Sequence, residues 1–292
     1  MVFSLIKSID VGDFGVMNKI VEGKINAEIL ICGSSRSYVG IDPITMSKAT
    51  GLKVFNISLN GSRLGVQLPV LKTYLKYNKK PKILIQELGF ESLTLDNKIY
   101  APYKYLPYLS KQELYKGLKK IDPELWYQKY SPTADFIYLN TDFQKMFLRD
   151  LYFTLIKKND YLYNGYNPNS NTWTINEQEF INHPRNIYFK STKEAEKYLI
   201  EIIEICKKLD INLMFVTTPA YYKIQQLEFN QKNMIETYTK ISQKYKILYI
   251  NYLHTSISEQ KDYFYNFTHL AENGAKKFSS IISEDIIKNY RL

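Results

Sequence analysis

Two short stretches at opposite ends of the 292-residue chain carry residue types that can do chemistry. Near the start, Ile31-Cys32-Gly33-Ser34-Ser35-Arg36-Ser37-Tyr38 runs from an apolar segment into a glycine and two hydroxyl residues. Glycine permits a sharp turn at the end of a strand. A serine at the start of the helix that follows sits among backbone N–H groups without helical partners, and these can stabilise an oxyanion. Ser35 is therefore placed to be a nucleophile; the competing reading is an ordinary N-cap. Near the other end, His269 stands in Tyr265-Asn-Phe-Thr-His-Leu-Ala-Glu-Asn-Gly-Ala275, directly before a helical pattern. A serine needs a general base to attack at neutral pH, and a histidine beside it supplies one. The competing reading for His269 is a cap on the last helix.

Other chemistries find less support. The three histidines, His183, His254 and His269, and the two cysteines, Cys32 and Cys206, lie at no metal-ligand spacing, so no metal site and no disulfide framework are expected. Both cysteines sit in apolar patterns as small hydrophobes. Neither Gly-x-x-x-x-Gly-Lys nor Gly-x-Gly-x-x-Gly follows Gly33, so no nucleotide and no other cofactor is expected.

The elements that must position these residues are legible as short apolar runs followed by turn chemistry. They are Glu28-Ile-Leu-Ile-Cys32, Val54-Phe-Asn-Ile-Ser58, Ile83-Leu-Ile-Gln-Glu87, Leu213-Met-Phe-Val-Thr217 and Ile247-Leu-Tyr-Ile-Asn251. Nearly continuous Ile, Leu and Val suit strands buried on both faces. Five of them alternating with helices imply a parallel sheet. Ser191-Thr-Lys-Glu194 reads as a capping box opening a helix whose apolar positions are Ala195, Tyr198, Leu199, Ile202, Ile205 and Cys206. A last helix carries Ala275, Phe278, Ile282 and Ile286 on one face. Between strands three and four, from about 91 to 185, the pattern changes to Tyr100, Tyr103, Tyr105, Tyr108, Tyr127, Tyr130, Tyr161, Tyr163 and Tyr166, with Trp126 and Trp173. This reads as a helical and loop insertion in a single domain spanning 1–292. Rigid aromatic faces there suit sugar rings over a crevice; the plainer reading makes them core and surface of the insertion.

Composition narrows the classes further. Hydrophobic residues make up 45% and aromatics 15%, which excludes a disordered chain, and 12 Gly with 10 Pro exclude a collagen-like one. The formal charge of +10 is spread over isolated lysines and pairs such as Lys79-Lys80 and Lys276-Lys277, with acids close by. No basic block exists, so nucleic acid is not an expected partner, while attraction to an anionic saccharide stays open. The opening Met1-Val-Phe-Ser-Leu-Ile-Lys7 is too short an apolar run for a signal peptide, and no window reaches ~18 apolar residues. The expectation is a soluble chain as written, cytoplasmic, or extracytoplasmic if an upstream anchor has been trimmed.

Gly33-Ser34-Ser35 after the first strand, Asn60-Gly61 after the second, and His269-Leu270 with Gly274-Ala275 before the last helix together resemble the sequence blocks of the SGNH/GDSL hydrolase superfamily. The likeness is greatest to the branch found beside polysaccharide-modifying O-acyltransferases, whose first block is followed by Ile-Asp-Pro; Gly40-Ile41-Asp42-Pro43 stands in that place. It covers the chain up to the insertion and again from the fourth strand onward. It implies a three-layer α/β/α, flavodoxin-like (SGNH) fold, with Ser35 as nucleophile and His269 as base. The implied oxyanion donors are the backbone N–H groups of Ser35 and Gly61, with Asn60 beside them.

Two positions depart from the family pattern. The Asp expected three residues before the histidine is Asn266, which can hold the ring by a hydrogen bond but cannot offset imidazolium charge. The Asn usual after the third strand is replaced within Gln86-Glu87-Leu88-Gly89. Three routes remain open: a Ser–His dyad, substitution by Asp262, or charge contributed by Glu87. Arg36 either binds an anionic substrate group or pairs with a surface carboxylate. The implied function is an esterase or O-acyltransferase acting on a carbohydrate acyl ester through an acyl-serine, with a membrane O-acyltransferase as an implied partner. The alternative is a catalytically impaired protein of the same fold that binds polysaccharide or a partner protein.

Overall fold

A computed structural model of the chain describes residues 5–130, 141–156, 164–170, 173, 191–225 and 231–290. Five strands, β1 (Ile29–Cys32), β2 (Val54–Asn56), β3 (Ile83–Glu87), β4 (Asn212–Thr217) and β5 (Leu248–Asn251), form one sheet in the order 2-1-3-4-5. Every pairing is parallel: Ile29 lies opposite Val54 of β2 and Ile83 of β3, Ile83 opposite Asn212, and Met214 opposite Leu248. This is the strand order of flavodoxin-like folds, and the chain leaves β1 in opposite directions toward β2 and β3. A crevice must open where those connections diverge, at the carboxyl ends of β1 and β3.

Strand composition explains the layering. Successive side chains of a strand point to opposite faces, and in β1 both sets are apolar. Ile29 and Ile31, with Val54, Ile83, Ile85, Met214 and Val216, meet α3 (Pro43–Thr50) and α11 (Glu272–Asn289) on one face. Leu30 and Cys32, with Phe55, Leu84 and Phe215, join the opposite core. That core is completed by α1 (Gly12–Val21), α4 (Leu64–Tyr77), α8 (Lys193–Lys208) and α10 (Gln231–Tyr245). The result is a three-layer α/β/α architecture around a five-stranded parallel sheet. Ala275, Phe278, Ile282 and Ile286 are all fully buried along α11, as their spacing predicts. Cys32 and Cys206 are free and buried in the same core, and desolvation pushes both thiols up, Cys206 to about 12.

Two local expectations need correction. The cap of α8 is Thr192, whose hydroxyl accepts from the Ala195 N–H at 3.1 Å, one residue later than the Ser191 box implies. Among the described residues, the tyrosines after β3 do not gather as one lid. Tyr105 and Tyr108 are buried in the core, where the Tyr108 hydroxyl lies 2.8 Å from Asn18 Oδ1, whereas Trp126 and Tyr130 are exposed. The described part of the insertion holds the helices α5 (Gln112–Ile121), α6 (Leu125–Tyr130) and α7 (Thr141–Ile156). Tyr161, Tyr163 and His183 lie outside the described residues. Among the described residues no helix is long and apolar enough to cross a membrane.

Candidate active site

The turn after β1 sorts its two serines by role. Ser34 is the N-cap of the short helix α2 (Ser35–Gly40), its hydroxyl accepting from the Arg36 N–H at 3.3 Å. Ser34 is in turn held by Glu87 at the end of β3, whose Oε2 accepts from the Ser34 N–H at 2.9 Å and from its hydroxyl at 2.8 Å. The cap reading thus falls to Ser34, and the half-buried Ser35 hydroxyl is left for another partner. Gly33 is required because a side chain there would meet Ser37 Oγ and Glu87 within 3 Å.

That partner is His269. Its Nε2 lies 2.8 Å from Ser35 Oγ, across 234 residues of sequence. The ring's other nitrogen, Nδ1, is 2.9 Å from Asn266 Oδ1 and 3.1 Å from Thr268 Oγ1. The same Asn266 oxygen accepts from the backbone N–H groups of Thr268 at 3.1 Å and His269 at 2.9 Å. Two fixed N–H donors demand an acceptor, so the amide orientation is set by the backbone and not free to flip. Nδ1 must then carry the proton, leaving the Nε2 lone pair to accept from the serine. Tyr265 stacks on the ring with centroids 5.6 Å apart and planes at 22°. Burial, reinforced by the nearby Arg36 charge, pushes the His269 pKa down to about 4, so the ring is neutral at physiological pH.

Ser34, Ser35, Arg36, Gly61, Tyr100 and His269 line a pocket of about 470 Å³ together with Arg63, Phe90 and residues of the 89–99 segment. Gly61 has φ +66°, and a side chain there would run into the Tyr100 ring, so both backbone and packing select glycine. Arg63 on the rim pairs with Glu91 at 2.7 Å and Asp96 at 2.8 Å.

The other expected residues have partners of their own. Asn60 lines a separate cavity with Asp13, Tyr103 and Lys104, not the Ser35 pocket; its N–H is engaged by Asp13 Oδ1 at 3.3 Å. Asp262 does not substitute for the missing carboxylate. It is exposed in a cleft with Trp173 and Lys261, and both ring nitrogens of His269 are taken by other groups. Glu87 is fully buried and serves Ser34 rather than His269; desolvation raises its pKa against the opposing pull of Arg36. Arg36 lines the Ser35 pocket and is 8% exposed, with no surface carboxylate among its hydrogen-bond partners. Its guanidinium donates to the Thr218 and Pro219 carbonyls at 2.9 and 3.3 Å after β4 and lies over the Phe90 ring. Thr268 and Tyr265 lie in the same segment as His269, and no local pattern in the sequence marks their contact with its ring. Among the described residues no cluster of His, Cys, Asp or Glu could hold a metal ion.

No protein-family model matches the sequence, and no curated protein matches it. Two solved structures resemble the chain at the level of fold. One, assigned to the lipolytic G-D-S-L family, from Desulfitobacterium hafniense DCB-2, shares 10% identity at a TM-score of 0.45, covering 89% of this chain and 99% of that one. Another, assigned as an acylhydrolase, from Bacteroides fragilis NCTC 9343, shares 10% identity at a TM-score of 0.39, covering 90% and 88%.

Proposed function

We propose that the protein is a serine esterase or acyltransferase of the SGNH/GDSL type, with Ser35 as nucleophile and His269 as general base. The observation that carries this reading is the chain of contacts from Ser35 Oγ to His269 Nε2 and from Nδ1 to Asn266 Oδ1, at the mouth of a pocket. In the proposed reaction Ser35 Oγ attacks the acyl carbonyl while Nε2 takes its proton. The tetrahedral oxyanion is met by the backbone N–H groups of Ser35 and Gly61. Nε2 then returns the proton to the departing alcohol, leaving an acyl-serine that water or an acceptor hydroxyl resolves.

The substrate class in this reading is an acylated saccharide. The pocket falls within the ~300–1,000 Å³ typical of small-molecule sites. Its lining mixes the aromatic residues Tyr100 and Phe90 with the polar residues Ser62, Ser92 and Arg63, a combination that suits a ring bearing both C–H faces and hydroxyls.

A fluorophosphonate probe tests the assignment. The expected result is a mass increment on the peptide carrying Ser35, lost in Ser35→Ala together with hydrolysis of an aryl acetate. Turnover that survives Ser35→Ala overturns the nucleophile. Absence of any labelling, with saccharide still bound, favours the non-catalytic binding protein instead, a reading the Asn266 substitution would then explain.

A further inference from the structure

We infer that Lys104, paired with Asp13, is a positioning residue that aims the Gly61 N–H into the Ser35 pocket; this rests on the esterase reading above. Lys104 closes a single-turn helical segment of the insertion (Pro102–Lys104) and is 2% exposed, unusual for an ammonium group. Its Nζ donates to the Asn60 carbonyl oxygen and lies 3.3 Å from Asp13 Oδ2. The other oxygen of Asp13, Oδ1, accepts from the Asn60 N–H. Residue 60 is therefore gripped at both backbone polar groups by one buried ion pair, whose partners come from α1 and from the insertion.

The consequence follows from peptide geometry. The Asn60 carbonyl and the Gly61 N–H belong to the same peptide unit, and in a trans unit the two bonds point in opposite directions. No described peptide bond is cis. Holding the carbonyl toward Lys104, in the cavity lined by Asp13 and Tyr103, directs the Gly61 N–H to the other side, where Gly61 lines the pocket with Ser35. A cation on the carbonyl also polarises the amide and strengthens its N–H as a donor. The left-handed φ at Gly61 makes this turn accessible, but glycine by itself fixes nothing. Tyr100, packed on Gly61 with Lys104 5.3 Å from its ring centroid, closes the turn from the insertion side.

The test compares steady-state hydrolysis of an aryl acetate by the unsubstituted protein, Lys104→Met, Lys104→Arg and Asp13→Asn. Loss of an aimed oxyanion donor acts on the transition state, so Lys104→Met is expected to lower kcat by about 10²-fold while leaving KM nearly unchanged. Lys104→Arg, which restores a cationic donor, is expected to recover most of that loss. Asp13→Asn keeps the acceptor for the Asn60 N–H and removes the counter-charge; it should lower kcat about tenfold with the circular dichroism spectrum retained. It also decides the matter if Lys104→Met does not fold. A folded Lys104→Met or Asp13→Asn protein with kcat within about threefold of the unsubstituted one overturns the inference. That outcome is separable from failure of the esterase reading, because Ser35 would still label in the unsubstituted protein and Ser35→Ala would still be inert.

Discussion

His269 is held neutral by burial and by the Arg36 charge, with the Asn266 amide rather than a carboxylate on its Nδ1. An aspartate in its place would stabilise the imidazolium, whereas the amide orients the ring and leaves burial and Arg36 unopposed, so the pKa falls to about 4 from an ordinary 6.5. A protonated Nε2 cannot accept from Ser35, so under the proposed mechanism activity is expected while the ring is neutral and is lost as pH drops through the folded pKa. The pH–rate profile of kcat/KM should show its acid limb near 4 rather than near 6.5. Asn266→Asp should move that limb upward and raise kcat by about tenfold or more, the reverse exchange costing a serine-protease triad ~10⁴. An unmoved limb would separate Asn266 from the titration of His269. Stability follows the same sign: the unfolded chain takes the proton first, so stability is full above 6.5 and declines as pH falls toward 4.

At the scale of elements, the turn that carries Ser35 is a joint between two strands. β1 delivers Gly33 and the serines, and β3 ends in the carboxylate that holds Ser34 by two hydrogen bonds. Ser37 ties the same helix to the segment after β2, its hydroxyl meeting Ser58 Oγ at 2.8 Å, and Asn56 donates to the Ser37 carbonyl at 2.8 Å. Glu87→Ala removes the acceptor of a buried N–H and a hydroxyl together and is expected to cost about 1–3 kcal/mol, read as a lower denaturant midpoint. Labelling of Ser35 should slow in the same variant. Glu87→Gln keeps one acceptor oxygen and should cost less; equal losses in the two would argue that charge, not hydrogen bonding, is what Glu87 supplies.

For the whole molecule, the decisive contact is between chain ends. His269 reaches Ser35 because α11, beginning three residues after it, packs against α2 and α3 over the face of the sheet that carries β1. Phe278 anchors this packing, fully buried and edge-on to Tyr252 at 5.1 Å. Phe278→Ala should destabilise the fold by about 3–5 kcal/mol, measured by thermal or denaturant unfolding. Retained stability would mean that α11 is not docked as described. Among the described residues the charges pair both locally, as Lys276 does with Glu272 and Lys197 with Glu194, and across elements, as Lys72 does with Glu201 and Lys104 with Asp13.

The five strands, their parallel pairing and the buried face of α11 were legible because each depends on local apolar periodicity, which a sequence displays directly. Ser35 and His269 were legible as candidates because glycine before serine, and histidine before a helix, are local patterns too. Whether Ser35 or Ser34 caps the helix was not legible, since both can, and the choice was made by Glu87, 53 residues away. The roles open to Asp262, Glu87 and Arg36 likewise depended on which partner each carboxylate and guanidinium met, and charges carry no record of their partners in a linear chain. The Lys104–Asp13 pair left no sequence signal at all, being two ordinary charged residues brought together only when the insertion packs against α1. The sequence alone determined the sheet and the chemistry available to it; tertiary packing decided which hydroxyl meets which ring nitrogen beside one pocket, because only burial forces polar groups to find partners.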